Sequence, residues 1–279
     1  MQVNLVNYEM AFTNGILSKF AWKMNEELER LGIKSVVTDV PDPKYDINHH
    51  IIYIGYKHVD SINTLMVTHL NTESKMDLLK EGMKTADMGI CMSQQMVDEL
   101  IKEGLPQDKL TYVLPAVDEH VVPIPIAILT NVYPDGVKRE SMLTELAKTI
   151  DPKRFIFRIM GKNWDVDGLR ALGLNIEYHA EFDRDVQDQI LMNSKYYLYF
   201  ALDQGSMALL DAMNAGLETI APLDGYHNHS GVDHPFTTQD QLNAIFATLQ
   251  KQKLADWTWE KYTKDHLAIW EKLVEKKQS

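Results

Sequence analysis

An α/β fold in two halves is what this sequence predicts, on three observations. Short apolar and β-branched runs alternate with segments of helical period, the pattern of βαβ units and mostly parallel sheets. The alternation restarts after EHVVPIP, where two prolines punctuate a link near residues 119–125. A length of 279 residues, with 45% hydrophobic and 24% charged, suffices for two cored domains and argues against disorder, collagen or coiled coil.

In the first half, VNLVNY reads as a strand, EMAFTNG as a loop and ILSKFAWKMNEELERLG as a helix. Leu17, Ala21, Met24, Leu28 and Leu31 recur in it every three or four residues, and Gly32 suits its C-cap. KSVVTDV is a second strand, Pro41 and Pro43 mark a turn, and HHIIYIGY is a third. INTLMVT is a buried strand ending at His69, and LNTESKMDLLKEGMKTA gives a loop and helix. MGICMS, the helix QQMVDELIKEG and the strand LTYVLPAVDE complete this half.

The second half starts with the strand PIAILTNV, followed by DGVKRESMLTELAKTI as loop and helix. RFIFRIMG and LNIEYHA are strands, RDVQDQILMNS is a short helix, and YYLYFA and LETIAP complete the sheet. Two helices end the chain, QDQLNAIFATLQKQKLADW and TWEKYTKDHLAIWEKLVEKK. The latter carries Trp259, Tyr262, Leu267, Trp270 and Leu273 along one stripe, suited to packing on a domain, and Glu260, Asp265, Glu271 and Glu275 dilute any basic membrane-binding face. The predicted boundaries are 1–120, 121–258 and a terminal helix at 259–279 that packs back on the first domain.

A formal charge of −12 argues against broad capture of nucleic acid or of stable attachment to anionic lipid, so any phosphate site is local. The start MQVNLVNYEM has no signal-peptide pattern, and no run approaches a membrane span, which makes the cytoplasm the expected location. One cysteine, Cys91, excludes a disulfide scaffold and reads as a core thiol, with a reactive thiol as the alternative.

The stretch DQGSMALLDAMNAGLETIAP, Asp203 to Pro222, holds the most chemistry. A strand ends near Ala201, Gly205 suits a tight turn, and a helix begins near Ser206 or Met207, so its free N–H groups face the strand's C-terminal edge, where an anion such as a diphosphate is favoured. Asp203 reads either as a loop or cap residue or as a ligand contact. Asp211, among Ala208, Leu209, Leu210, Ala212 and Met213, reads equally as a solvent-facing carboxylate or as an acceptor for a ligand's hydroxyls. Lys138 and Arg139, in DGVKRE, form either an exposed turn or a phosphate clamp.

With these residues the second half resembles the donor-binding half of retaining nucleotide-sugar glycosyltransferases of the GT-B architecture, two Rossmann-like domains facing each other across a cleft. That family places two glutamates eight positions apart around a glycine-rich turn; here Asp203, Gly205 and Asp211 stand in those places, followed by Ala215, Gly216 and LETIAP. The segment from Ala86 through LPAVDE, the run AILTNVYPDGVKRESMLTEL, FIFRIMGKNW and the terminal helix fall in the family's order, over roughly residues 85–275.

The resemblance implies that Asp211 accepts hydrogen bonds from the nucleotide ribose and that Asp203 orients the transferred sugar. It sets the backbone of Gly205, Ser206 and Met207 near sugar and diphosphate, Lys138 on the diphosphate and Gly161 at the nucleotide-side strand end. It assigns His69, otherwise a loop or core histidine, a polar contact near the transferred sugar. The implied partners are a nucleotide diphosphate sugar as donor substrate and a glycan or lipid-linked glycan as acceptor, with a transient membrane encounter compatible. No cofactor and no metal are implied.

The sequence departs from the family at three points. Aspartate replaces both glutamates, shortening each reach by about 1.5 Å. The customary arginine before Lys138 is absent, with Asn131 or Val132 in that region and Arg139 or Arg158 as substitutes. Met207 is bulkier than the usual glycine. A non-catalytic sugar-nucleotide-binding protein and a nucleotide-sugar epimerase are the alternatives. Two further stretches stay open: Glu9 and Asn14, in NYEMAFTNG, as an ordinary turn or an acceptor-facing loop, and His227, His229, Asp233 and His234 as a substrate-adjacent loop or metal ligands.

Overall fold

The computed structural model describes residues 1–8, 15–70, 72–118, 121–251 and 254–279, so Glu9 and Asn14 lie outside the described residues. The chain divides into two compact units, Met1–Asp118 with Leu254–Ser279, and Glu119–Lys253.

The first unit carries β1 (Gln2–Val6), α1 (Ile16–Arg30), β2 (Lys34–Thr38), β3 (Ile47–His50), β4 (Ile62–Val67), α2 (Glu73–Met83), β5 (Met88–Cys91), α3 (Gln94–Lys102) and β6 (Leu110–Tyr112). The second carries β7 (Ile124–Leu129), α4 (Ser141–Ala147), β8 (Phe155–Met160), α5 (Val166–Ala171), β9 (Asn175–His179), α6 (Arg184–Met192) and β10 (Tyr196–Leu198). It continues with α7 (Met207–Asn214), β11 (Glu218–Ala221), α8 (His227–Ser230), β12 (His234–Pro235) and α9 (Gln239–Leu249), and α10 (Trp259–Gln278) returns to the first unit.

Each unit holds one six-stranded sheet, ordered β2-β1-β3-β4-β5-β6 and β12-β11-β10-β7-β8-β9. Every strand pair is parallel. Parallel sheets are covered on both faces, which is why their strands read as near-continuous apolar runs. In β4, Ile62 and Met66 join one core while Leu65 and Val67 join the other. In β8, Phe155, Phe157 and Ile159 fill one face and Met160 the opposite one.

In both sheets the strand order reverses direction once, between β1 and β3 in the first and between β7 and β10 in the second. The crevice at the carboxyl ends of such strands is where open α/β sheets bind ligands.

Local signals end α1 and α3 where the sequence predicts, whereas the helix expected over QDQLNAIFATLQKQKLADW stops at Leu249. Gly32 adopts φ 76 after α1 and Gly104 φ 90 after α3, left-handed positions that glycine occupies without steric cost. The third strand differs from the expected HHIIYIGY. It starts at Ile47, in register with Val3–Val6, and ends at His50, and Tyr53–Gly55 turn as a short 3-10 helix with the Tyr8 ring packed against Gly55. The two-residue β12 and the six-residue α5 are too short for a periodic signal and were not expected from the sequence.

The terminal helix packs Trp259, Tyr262, Thr263, His266 and Trp270 against the first unit. Phe20 of α1 meets Trp259 and Tyr262 edge-on at 5.2 and 5.4 Å, and Trp270 Nε1 donates to Thr64 Oγ1 of β4 at 3.2 Å. The chain joins this unit ahead of the helix, since Val117 N donates to Trp257 O at 2.8 Å. Cys91 is buried in the second core of the unit, and burial pushes its thiol up to about 12, the behaviour of a core thiol rather than a nucleophile. No helix among the described residues is long and apolar enough to cross a membrane.

Candidate active site

At the β7/β10 reversal, two loops bring together groups that are 65 positions apart in sequence. The loop after β7 reaches Lys138 through a tight turn in which Gly136 N donates to Tyr133 O at 3.1 Å and Arg139 N to Gly136 O at 3.0 Å. Gly136 and Arg139 have φ 70 and 53. The Arg139 guanidinium fastens this loop to its neighbours, donating to Phe200 O at 3.3 Å and Thr237 O at 2.9 Å. It is therefore engaged with backbone carbonyls at this edge of the sheet.

The loop after β10 presents Asp203, whose carboxylate pairs with the Lys138 ammonium. Tyr199 is the third member. Its hydroxyl lies 2.8 and 2.7 Å from the two Asp203 oxygens and accepts from Lys138 Nζ at 3.0 Å. Partial burial works to raise the Asp203 carboxyl, but hydrogen bonds from Lys138, Tyr199 and Gly205 N–H outweigh it and hold the group below the usual carboxylate range. Burial, reinforced by Asp203, pushes the Tyr199 phenol up, so Tyr199 remains a donor. The side chains of Lys138 and Asp203 keep 16% and 21% of their surface exposed, enough to meet a ligand yet shielded from full solvent screening.

The glycine turn that follows is gripped from behind by the loop after β11. Gln204 N donates to Asp224 Oδ2 at 2.8 Å, Tyr226 N donates to Gln204 O at 3.3 Å, and Ser206 N donates to His227 Nε2 at 2.8 Å. His227 is fully buried; its Nε2 accepts from Ser206 N–H, so the ring N–H lies on Nδ1, facing the Pro222 carbonyl at 3.3 Å. Gly205 has φ 125, and a Cβ there would enter the Tyr226 ring. Glycine is thus required twice over, by backbone conformation and by space.

Ser206 N-caps α7 without a side-chain hydrogen bond to the helix, so its own side chain does not occupy the positive end of α7, which lies at this edge. Met207 and Asp211, one turn apart, share the exposed face of α7, with Met207 at 69% exposure. Asp211 therefore carries no burial cost, and its carboxylate accepts from Gln187 Nε2 of α6 at 3.2 Å.

Gly161 stands at the end of β8, on the same carboxyl edge, with φ 149 and packed so tightly on the Thr130 carbonyl that no side chain fits. Its carbonyl accepts from Tyr178 Oη at 2.9 Å. Nearby, Asn131 Oδ1 accepts from Lys162 N at 2.8 Å and Val132 is buried, so the region that lacks the customary arginine builds the loop instead. Arg158 lies within β8 and pairs with Glu177 of the neighbouring strand and with the Asn193 carbonyl; it does not take the missing arginine's place at the strand end.

His69 belongs to the first unit, exposed just past the end of β4 with φ 37, its carbonyl accepting from Tyr53 Oη at 3.2 Å. The histidine-rich loop does not converge. His227 serves the glycine turn, His234 Nε2 pairs with Glu218 at 3.0 Å, and Asp233 accepts from the Thr219 N–H and hydroxyl at 2.8 and 2.9 Å. Among the described residues no group of three or more potential metal ligands comes together.

Sequence reasoning missed Tyr199, Tyr226 and Gln187 as parts of this site, and it read His227 as a member of a substrate-adjacent loop or a metal ligand rather than as the acceptor that holds the glycine turn. Tyr199 sits inside the apolar run YYLYFA and reads as core, and the only pointer to it was a phenol four residues ahead of Asp203.

No family model matches the chain, and no curated protein matches it. Among solved structures it is similar to a lipopolysaccharide outer core galactosyltransferase, WaaB, in its apo form, at 15% identity over 98% of this chain and 100% of that one, with a TM-score of 0.38. HepE of Anabaena, in complex with UDP and glucose, aligns at 10% identity over 100% of this chain and 99% of that one, with a TM-score of 0.39. The catalytic domain of a cholesterol-α-glucosyltransferase from Helicobacter pylori aligns at 16% identity over 55% of this chain and 99% of that one, with a TM-score of 0.40. Residue roles do not transfer at such similarity.

Proposed function

We propose that the chain is a retaining glycosyltransferase that moves a sugar from a nucleotide diphosphate sugar to an acceptor hydroxyl on a glycan or lipid-linked glycan in the cytoplasm. The observation that carries this reading is the half-buried Lys138–Asp203 pair at a sheet reversal, beside the uncapped N-terminus of α7. A cation and a helix N-terminus at one edge suit a diphosphate, and a carboxylate beside them suits the hydroxyls of the attached sugar.

In this reading the acceptor oxygen bonds to the anomeric carbon as the bond from that carbon to the donor phosphate breaks, and the acceptor proton passes to the departing phosphate oxygen. Lys138 and the N–H groups at the start of α7 stabilise the charge that develops on the leaving diphosphate, which needs no metal. Asp203 orients the transferred sugar. Asp211, exposed on α7, accepts from the ribose hydroxyls, and Gly161 lets the nucleotide approach the end of β8. Arg139 holds the Lys138 loop in place. For His69 we keep the polar contact to substrate that the family resemblance implies.

The test is incubation with UDP-, GDP- and dTDP-sugars and a panel of glycan and lipid-linked acceptors, with the product's anomeric configuration read by NMR. Transfer from one donor with retention is expected. Binding without turnover would select the sugar-nucleotide-binding reading, an altered sugar formed without acceptor would select the epimerase, and an inverted product would end the claim of retention.

A further inference from the structure

If Lys138 serves a diphosphate, it must leave a partner it already has. Asp203 takes the Lys138 ammonium, the Tyr199 hydroxyl and the Gly205 N–H. Withdrawal of the lysine toward a phosphate removes the cation from a carboxylate that is only 21% exposed, and a poorly solvated carboxylate short of donors is costly. The Tyr199 hydroxyl and the Gly205 N–H are the donors that remain. The hydroxyl reaches both Asp203 oxygens, and the Tyr199 residue is 2% exposed. Its ring is seated edge-on against His227 at 5.7 Å, with Lys138 Nζ 5.4 Å from the ring centre, so the hydroxyl stays aimed at Asp203 while the flexible lysine moves.

We propose that Tyr199 is a positioning residue of the donor site, whose hydroxyl keeps Asp203 ionised and in place while Lys138 changes partner from Asp203 to the diphosphate. This rests on the nucleotide-sugar reading. It assigns Tyr199 a role exerted through Asp203, and it makes the affinity for the diphosphate depend on how well Asp203 tolerates the loss of Lys138.

The experiment is calorimetric titration of the full chain with UDP, GDP and dTDP, carrying forward whichever nucleotide the wild type binds, for Tyr199→Phe, Asp203→Asn and the double variant. Tyr199→Phe is expected to bind about tenfold more weakly, because charge-assisted hydrogen bonds are the strong ones. Asp203→Asn, with no carboxylate competing for Lys138, is expected to bind at least as tightly as wild type. In that background Tyr199→Phe is expected to have no further effect, which a packing role would not produce.

Unchanged affinity in Tyr199→Phe, or an equal loss with and without the Asp203 carboxylate, overturns the inference and leaves the functional reading standing. Should Tyr199→Phe fail to fold, weakened binding in Asp203→Asn alone overturns it. A wild type that binds none of the three nucleotides overturns the functional reading and the inference together.

Discussion

The two sheet reversals occupy equivalent places in similar architectures and are built to opposite ends. At the β1/β3 reversal a hydrogen-bond chain runs from Lys57 N–H through Tyr8 to His50 and on to Asn63, with the Tyr8 hydroxyl 2.9 Å from His50 Nδ1 and His50 Nε2 3.3 Å from Asn63 Oδ1. Burial lowers His50 to about 4 and raises Tyr8 to about 12, so these groups are neutral and hydrogen-bond to one another. At the β7/β10 reversal the corresponding groups are an ion pair and a tyrosine, beside a helix whose N-cap side chain makes no hydrogen bond to it. Both edges stack a tyrosine on a glycine, Tyr8 on Gly55 and Tyr226 on Gly205. The fold therefore provides the reversal twice, and among the described residues side-chain chemistry makes one edge neutral and the other charged.

The largest expected effect breaks the charged edge. Lys138→Ala should lower the rate of sugar transfer by about 100-fold or more, the scale of removing one group that stabilises leaving charge. Hydrogen-exchange protection of β1, β3 and β4 should be unchanged. Equal activity in initial-rate assays would reduce the ion pair to a structural tie.

Acid should act on the neutral side of the comparison. Burial lowers both His50 and His266 from an ordinary 6.5 to about 4 in the folded protein. The unfolded chain then binds protons first as pH falls. The stability these neutral rings contribute is full above about 6.5 and is lost as pH drops through about 4, at roughly 3 kcal/mol per histidine. Hydrogen exchange followed from pH 7 to pH 4 should show the first unit losing protection progressively; a flat profile there would mean the rings are not buried neutral.

Gly205→Ala meets both a left-handed φ and the Tyr226 ring, and should cost the second unit about 2 kcal/mol in urea denaturation while weakening nucleotide binding. Gly55→Ala faces the Tyr8 ring without the φ penalty and should cost less. The smallest effect belongs to Tyr8→Phe, which leaves His50 Nδ1 and Lys57 N–H without that hydroxyl and should cost about 1 kcal/mol of stability. It should leave nucleotide affinity unchanged, and a shift in affinity would show that the neutral edge also serves the ligand.

Much of the fold is legible because its signals are local. Alternating apolar runs and helical periods mark the βαβ units, and left-handed glycines such as Gly32 and Gly104 end helices where they fall in the sequence. The site is legible where its members are neighbours. Asp203, Gly205 and Asp211 lie on one loop and helix, whereas the turn at Gly136 left Lys138 open between an exposed turn and a phosphate clamp, and only the family resemblance singled it out. The third strand and β12 depended on register and on contacts from elsewhere, and no local pattern carries those.

By itself, then, the sequence determined that two parallel sheets form, and which loops carry charge at their carboxyl ends, because backbone conformation and hydrophobic period act over a few residues. Only the tertiary structure decided that Lys138 meets Asp203 and Tyr199, that His227 grips the turn at Ser206, and that Arg139 is committed to carbonyls. Those outcomes depend on which loops a parallel crossover places side by side, and that proximity is set by strand order rather than by spacing along the chain.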